Sequence, residues 1–303
     1  MMQDKSVRKN VSFDSRGVQC RGWLYLPERA GDGGKSPAIV MAHGFSAVKE
    51  QGLAEFARAF AAAGFVTLVF DYRCFGDSDG EPRCQLFPLE MVEDYRNAIS
   101  WLAEHPAVDA GRIGIWGTSF SGGLVAYAGA IDKRAKAVVA QVPSIIGPET
   151  RRAMNPEKWE QVGDFLLQER VARYRSGEIN YLKVVAPDGE PCVLPGRENY
   201  DAYMALQAEA PNWRNEITIE SLEKIRVFDP AAPIRQIAPR ALLIIAAQED
   251  SLIPLEALRQ AFERAGEPKK FVEYPIRHFE IYAEPWRSKA ANASIDWFRR
   301  YLC

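Results

Sequence analysis

The sequence predicts an α/β fold, in which helices cover both faces of a mostly parallel sheet of eight strands. Short apolar runs alternate along the chain with longer segments of helical period. The interior runs PAIVMA, FVTLVF, RIGIWG, AVVAQV and ALLIIAA are apolar throughout, which is typical of strands buried on both faces. The alternation breaks between about residues 147 and 235, where a charged, aromatic-bearing stretch indicates an insertion after the sixth strand.

Each strand is predicted from a short β-branched or apolar run, and the first two form an antiparallel hairpin around Ser15–Gly17. The predicted strands cover residues 7–14, 18–27, 37–43, 65–71, 112–118, 136–142, 240–247 and 270–276. Apolar residues that recur at helical spacing indicate the helices between them and are typical of core packing. These stripes are Leu53, Phe56 and Phe60; Val92, Tyr95, Ile99 and Leu102; and Ala291, Ile295, Phe298 and Leu302.

The length of 303 residues fits one large domain with an insertion. We predict that residues 1–146 and 236–303 form the core and that residues 147–235 form a cap. Within the cap, the pattern predicts three helices and a hairpin over 181–196 that turns at Pro187–Gly189. The three helices are predicted at 156–175, 199–210 and 219–226.

Charge and composition narrow the possible partners. The chain has 38 Lys and Arg against 40 Asp and Glu, a net charge of −2, and no long basic run, so nucleic acid is not an expected partner. Its apolar runs fall short of the roughly 18 residues that span a membrane. Because the first ten residues also lack the apolar core of a signal peptide, we expect a cytoplasmic protein without a membrane partner.

The cysteine pattern bears on metals and disulfides. The five cysteines are odd in number and widely spread without a CxxC pair, so neither a disulfide framework nor a structural zinc site is expected. No pair of histidines has a metal-ligand spacing, and we expect no metal and no cofactor. The sequence leaves open whether the protein is a monomer or a homodimer.

The segment Gly117–Gly123, GTSFSGG, lies between the strand RIGIWG and the helical run LVAYAGA. A serine at a strand-to-helix turn, flanked by small residues, is the setting of a nucleophile elbow, where crowding by neighbouring backbone excludes larger side chains. Ser119 is therefore the predicted nucleophile. The pattern is GxSxS rather than GxSxG, and Ser121 at its last position stays a rival nucleophile.

A serine hydroxyl requires a nearby base, and the chain has three histidines. His105 precedes the strand RIGIWG, which places it at the amino end of the sheet, away from the serine. His43 ends the third strand beside Gly44, and we expect its ring to fix that loop through a hydrogen bond. His278 follows the last strand at the carboxyl edge, and it is the predicted base.

The acid that orients the base is expected after another strand and before the histidine. The strand ALLIIAA ends in Gln248–Asp250, and Asp250 is preferred because it lies at the apex of the loop, with Glu249 as the alternative. The chain order Ser119, Asp250, His278 is that of an α/β-hydrolase triad.

Attack on a carbonyl creates an oxyanion, which backbone N–H groups must stabilise. One expected donor is the N–H of Phe120, directly after the nucleophile, and the other is the N–H of Phe45, after His43 and Gly44. The neighbouring N–H of Ser46 is the alternative to Phe45.

The segments HGFSAVKE, FDYRCFGDSDGEPR, GTSFSGG, AAQEDSLIP and RHFEIY resemble the marker segments of the α/β-hydrolase superfamily, from about Ser36 to the end of the chain apart from the insertion. Cys74 stands where glycine is usual in the second of them, a turn expected to be structural. Within the superfamily, the chain resembles dienelactone-hydrolase-related and acyl-peptidase-like esterases, including a branch of acyltransferases and thioester hydrolases from polyketide pathways.

The resemblance implies an α/β-hydrolase fold whose insertion is a cap over an acyl pocket. The pocket candidates are Trp159, Phe165, Tyr203 and Trp213, together with Leu166, Tyr174, Tyr200 and Met204. The predicted function is that of a cofactor-independent serine hydrolase, which cleaves a small-molecule carboxylic ester or thioester through an acyl-enzyme. The alternatives are an acyltransferase that uses the same acyl-serine, a hydrolase of short peptides or acyl-peptides, and a binding module with a vestigial triad. The acyl group, the leaving group and the pathway are not specified.

Overall fold

The computed structural model describes residues 7–28 and 34–303. The first six residues, on which part of the signal-peptide expectation rests, lie outside this range, as do residues 29–33.

The strands of the described chain are short and most of them are apolar. In chain order they are β1 (Val7–Ser15), β2 (Val18–Leu26), β3 (Ser36–Ala42), β4 (Val66–Phe70), β5 (Val108–Thr118), β6 (Ala135–Gln141), β7 (Tyr181–Leu182), β8 (Ile217–Thr218), β9 (Ala241–Ala247) and β10 (Lys269–Tyr274). Eight of them form one sheet in the order β1-β2-β4-β3-β5-β6-β9-β10. The pair β1–β2 is antiparallel and most other pairs of this sheet are parallel, as predicted. The pair β2–β4 is antiparallel as well.

Helices connect the strands and cover both faces of the sheet. They are α1 (Ala54–Ala62), α2 (Pro88–Glu104), α3 (Phe120–Ile131), α4 (Pro148–Met154), α5 (Pro156–Ser176), α6 (Arg197–Gln207), α7 (Ile219–Val227), α8 (Leu255–Arg264) and α9 (Trp286–Leu302), with 3-10 helices at Ile234–Ile237 and His278–Tyr282.

Two apolar clusters form the core, one on each face of the sheet. Apolar residues of α2, α3 and α8 belong to one cluster, and those of α1 and α9 to the other. Along β3, Val40 faces the first cluster while its neighbours Ile39 and Met41 face the second. Because successive side chains of a strand point to opposite faces, a strand covered on both sides is apolar at nearly every position. This explains why the central strands lack the polar alternation of a half-exposed sheet.

The elements α4 to α7 and the strands β7 and β8 lie between β6 and β9. The helices α5, α6 and α7 match the three predicted there, whereas α4 was not predicted. The predicted hairpin is corrected in part: backbone bonds join Val193 to Lys183 and Leu194 to Val184 across a turn, but the strand Tyr181–Leu182 pairs with Ile217–Thr218 instead. The division of the chain at residues 146/147 and 235/236 stays a prediction.

The parallel strands place the ends of β3, β5, β6, β9 and β10 along one edge of the sheet, where the residues that follow these strands come together. Among the helices of the described chain, none combines the length and the apolar character that crossing a membrane would require.

Candidate active site

Ser119 lies at the turn between β5 and α3, in a strained backbone conformation. Its φ is 56° and its ψ −121°, a region that residues with a side chain rarely adopt. A Cβ at Gly117 would lie 2.3 Å from the backbone oxygen of Ser121, and one at Gly44 would lie 3.2 Å from the Cβ of Ser119. The turn is therefore closed on two sides by glycines, and at Gly117 a side chain would overlap the backbone of Ser121. This is the geometry of a nucleophile elbow, which lifts the side chain above the sheet edge.

Ser121 is not placed as a nucleophile. Its side chain is fully buried, and its Oγ lies 2.7 Å from the hydroxyl of Tyr72 and 2.9 Å from that of Tyr95. The Tyr95 hydroxyl also lies 2.8 Å from the Trp116 carbonyl oxygen and donates to it. The rival nucleophile is thus held below the elbow by two tyrosines, and its hydroxyl has no access to a substrate.

The structure brings together the three residues of the predicted triad. His278 Nε2 lies 3.0 Å from Ser119 Oγ, and His278 Nδ1 lies 2.7 Å from Asp250 Oδ2. An ionised carboxylate only accepts hydrogen bonds, so Nδ1 carries the proton and Nε2 is free to accept the serine proton. The arrangement is that of a nucleophile, a base and an orienting acid in sequence.

Asp250 is held in place by the chain that follows it. Its Oδ1 accepts hydrogen bonds from the N–H groups of Leu252 and Ile253, both at 2.9 Å, and its side chain is fully buried. These bonds leave Oδ2 directed at His278. The alternative acid, Glu249, is exposed and precedes the turn, so the hydrogen bond to the base selects Asp250.

The other two histidines lie where they were expected. His105 precedes β5, at the end of that strand opposite to Ser119, and its Nδ1 accepts the Ala107 N–H at 3.3 Å. His43 is 1% exposed and its Nδ1 lies 3.1 Å from the Gly44 carbonyl oxygen. Burial lowers the pKa of His43 to about 4, so its ring is neutral near pH 7 and donates to that oxygen.

Both expected oxyanion donors border the same space as the triad. Gly44, Phe45 and Phe120 line the cavity that contains Ser119 and His278. Phe120 is the first residue of α3, where a backbone N–H has no acceptor within the helix. Ser46, the alternative to Phe45, is buried and does not line this cavity. The positions favour Phe45 and Phe120 as the pair of donors.

The loop that carries Phe45 is tied to the core by a buried ion pair. Lys49 is 2% exposed, and its Nζ lies 2.8 Å from Asp71, 2.5 Å from Asp77 and 2.7 Å from Glu50. The Lys49 N–H also donates to Asp71 at 2.7 Å. Burial alone would lower the pKa of Lys49, but the surrounding carboxylates, Asp71 above all, raise it, so the side chain is an ammonium ion.

The same three acids are the group in the described chain whose oxygens lie close enough together to bind a metal ion. The ammonium of Lys49 already lies within hydrogen-bond distance of all three, so the protein itself supplies a cation between these carboxylates. In the segment 71–80, Asp71 and Asp77 thus bind Lys49 and hold its loop, which is a structural role.

The cavity beside Ser119 has a volume of about 150 Å³ and is mostly apolar. Its lining residues are Gly44, Phe45, Ala47, Gln51, Thr118, Ser119, Phe120, Ser144, Leu194, Tyr203, Leu206, Leu252, Ile253, His278, Phe279 and Tyr282. Among these described residues none bears a carboxylate, an ammonium or a guanidinium group. The space therefore suits a neutral group of a substrate better than a charged one.

Of the four pocket residues predicted first, Tyr203 lines this cavity, whereas Trp159, Phe165 and Trp213 do not. Trp159 lies under the guanidinium of Arg226, 3.5 Å from its ring centre. Phe165 is 44% exposed on α5, and Trp213 is buried behind Tyr203, with ring centroids 5.7 Å apart. The further candidates Leu166, Tyr174, Tyr200 and Met204 do not line the cavity either.

Several lining residues lie directly beside predicted site residues and were missed. Leu252 and Ile253 follow Asp250, and Phe279 follows His278. Their closeness in sequence to the triad could have indicated them, since the loops at the strand ends form the site. Leu194 and Leu206 carry no such indication, because they come from the middle of the region between β6 and β9.

An elbow serine, a histidine and a buried aspartate at the strand ends of such a sheet define the class of α/β hydrolases. Residues 17–160 match the family of X-Pro dipeptidyl-peptidases (S15 family). The chain is 33% identical to the quorum-quenching protein AidA of Acinetobacter baumannii over 295 residues. This match covers 97% of this chain and 95% of that protein.

Two fungal relatives match over most of their length. The polyketide transferase ATR5 of Stachybotrys chlorohalonatus is 34% identical over 88% of each chain. The thiohydrolase aneE of Aspergillus aculeatus is 31% identical over 86% of this chain and 83% of that protein. Among solved structures, the α/β hydrolase GrgF from Penicillium is similar with a TM-score of 0.83 and 26% identity, over 98% of this chain and 99% of that one. The chain belongs to the α/β-hydrolase superfamily, in the branch that includes these polyketide transferases and thiohydrolases, and it is an enzyme of the α/β-hydrolase type.

Proposed function

We propose that this enzyme uses Ser119 as a nucleophile to cleave a neutral ester or thioester through an acyl-enzyme. The observation that carries the proposal is the continuous line of hydrogen bonds from Ser119 through His278 to Asp250. A serine hydroxyl alone is a weak nucleophile at neutral pH, and such a base activates it.

In the first half of the reaction, the Ser119 oxygen attacks the carbonyl carbon while its proton passes to His278 Nε2. Asp250 stabilises the imidazolium that forms, and the N–H groups of Phe45 and Phe120 stabilise the oxyanion. The tetrahedral species collapses, the bond to the alcohol or thiol breaks, and His278 returns the proton to the leaving group. Water, deprotonated by His278, then attacks the acyl-serine and releases the acid.

Transfer of the acyl group to an alcohol or amine is the second candidate, because relatives of this chain include both a transferase and a thiohydrolase by name. The two reactions share the acyl-enzyme and differ in the molecule that attacks it. Cleavage of X-Pro dipeptides is less well supported, although the matching family model bears that name. A free peptide amino terminus is an ammonium ion, and the residues lining the cavity offer no carboxylate to pair with it.

Substitution Ser119→Ala tests the proposal. We expect turnover of a short p-nitrophenyl ester or a thioester to fall by about 10⁴-fold or more, because the acyl-enzyme can no longer form. Labelling by a fluorophosphonate, detected by mass spectrometry of the intact protein, should be lost as well. Ser121→Ala is the matched control and should still be labelled.

Turnover by the Ser119→Ala protein within tenfold of the wild type would overturn the proposal. Product analysis of the wild type with and without an added alcohol or amine separates the two reactions. An acylated acceptor identifies transfer, whereas free acid in both samples identifies hydrolysis.

A further inference from the structure

The oxyanion loop, which we define as residues 44–49, is held by side chains from the region between β6 and β9. The hydroxyl of Tyr203, on α6, donates to the carbonyl oxygen of Phe45 at 2.6 Å. The indole N–H of Trp213, which follows that helix, donates to the carbonyl oxygen of Ser46 at 2.7 Å. Both side chains are buried, with 6% and 5% of their surface exposed, so water does not compete for these bonds.

The two carbonyls that accept these bonds directly follow the peptide group that carries the predicted donor, the Phe45 N–H. The preceding carbonyl, that of Gly44, accepts from the ring of His43 at 3.1 Å. Three successive carbonyl groups are therefore anchored by three different side chains. Because a trans peptide is planar, with its N–H opposite to its C=O, anchoring the Gly44 carbonyl also sets the direction of the Phe45 N–H.

The backbone of the loop is strained at Ser46, next to the carbonyls that accept the bonds from Tyr203 and Trp213. Ser46 has a φ of 47°, which is unfavourable for a residue with a side chain. Such a conformation persists where the surroundings hold it. The bonds on both sides of the Ser46 backbone, to the carbonyls of residues 45 and 46, supply that restraint.

The far end of the loop is held by the core through Lys49 and Asp71, as described above. Asn212 adds a further link, because its side-chain amide donates to Asp77 at 2.9 Å beside the same ion pair. The middle of the loop thus rests on Tyr203 and Trp213, while its two ends rest on the core. The ring centroids of Tyr203 and Phe279 also lie 6.0 Å apart, and Phe279 directly follows His278 in the chain.

We propose that Tyr203 and Trp213 are positioning residues for the oxyanion donor, the Phe45 N–H. The inference rests on the proposed function of Ser119. His43 holds the peptide that contains this N–H, and Tyr203 and Trp213 hold the two peptides that follow it, so they act on the donor through the backbone of Phe45 and Ser46. In this way the region between β6 and β9 contributes to the chemical step. An oxyanion donor acts on the transition state more than on the bound substrate, so the effect falls on kcat.

The test uses Tyr203→Phe and Trp213→Phe in the full-length enzyme. Each substitution removes one hydrogen bond and keeps an aromatic ring, which favours normal folding. We expect kcat for an ester or thioester to fall by about 10- to 100-fold in each variant, below the loss caused by removing a donor itself, while KM changes by less than about threefold. Affinity for a boronic acid inhibitor, which mimics the tetrahedral species on Ser119, should fall by a similar factor.

Matched controls come from the same region. Tyr200→Phe lies one turn earlier on α6, and Trp159→Phe removes a second tryptophan that does not touch the oxyanion loop. Both should keep kcat and inhibitor affinity within about twofold of the wild type. A rise in KM with unchanged kcat in Tyr203→Phe would show a substrate contact only and would overturn the inference.

If Tyr203→Phe does not fold, Trp213→Phe decides the question by the same measurements. An unchanged kcat in a folded Trp213→Phe protein would contradict the inference. The proposed function is tested separately, since Ser119→Ala abolishes labelling whether or not these two residues position the loop.

Discussion

The sheet and the region between β6 and β9 both contribute to the site, and they are built in different ways. Every residue of β4 and of β9 is buried. In α5, by contrast, Leu166 and Glu169 are the buried residues of a helix of 21. The sheet places the triad through the ends of its strands, whereas the other region reaches the site through individual side chains such as Tyr203. The ends of buried strands therefore carry the predicted nucleophile and its orienting acid, whereas separate side-chain hydrogen bonds hold residues 44–49.

We expect the largest effect on stability from breaking the buried ion pair of Lys49 and Asp71, which joins the oxyanion loop to the core. Substitution Lys49→Met leaves Asp71 with an unpaired charge in a fully buried place. We expect the free energy of unfolding to fall by about 3–5 kcal/mol, measured by urea denaturation at pH 7.

A double variant distinguishes the unpaired charge from lost packing. Lys49→Met with Asp71→Asn removes the charge and keeps an oxygen that can accept the backbone N–H of residue 49. It should recover part of the lost stability. If the single variant costs less than about 1 kcal/mol, the ion pair does not anchor the loop.

Protonation of His43 is expected to have an intermediate effect on the free energy of unfolding, and this effect depends on pH. Its pKa in the folded protein is about 4 because of burial, against an ordinary value of 6.5. The contribution of neutral His43 to stability is fully present above pH 6.5 and is lost as the pH falls through 4, since the unfolded chain binds the proton first. The difference between the two pKa values corresponds to about 3 kcal/mol in the free energy of unfolding.

The His43→Asn variant keeps a side-chain N–H for the Gly44 carbonyl and cannot titrate. The free energy of unfolding, measured from pH 7 to pH 4, should therefore decrease less steeply in the variant than in the wild type. Parallel curves for the two proteins would show that His43 does not remain neutral in the folded state.

The smallest effect is expected on the exposed face of α5. Tyr174 is 91% exposed, and Leu167 is 61% exposed on the same helix. Tyr174→Ser should change the free energy of unfolding by less than about 0.5 kcal/mol, because little surface is buried there in the folded state. A loss above 1 kcal/mol, or a stability that depends on protein concentration, would show that this face is covered in solution.

The two regions also differ in how far they could be predicted. The strands and the triad follow from local patterns, because a strand buried on both faces must be apolar and an elbow must have small neighbours. Tyr174 and Tyr203 belong to the same charged stretch, yet one is in solvent and the other is buried at the site. No periodic pattern separates them, since each position depends on how its helix packs.

The amino-acid order was sufficient for the sheet and for selecting Ser119 and His278 as the candidate nucleophile and base, because both selections depend on short segments at the ends of strands. The choice of Asp250 over Glu249 and the exclusion of Ser121 required the folded chain, where a hydrogen bond to His278 and two tyrosine hydroxyls decide them. The contacts of Tyr203 and Trp213 with the oxyanion loop join residues 158 and 167 positions apart. Contacts between residues so far apart in sequence are decided by tertiary packing, because no local sequence pattern relates the two segments.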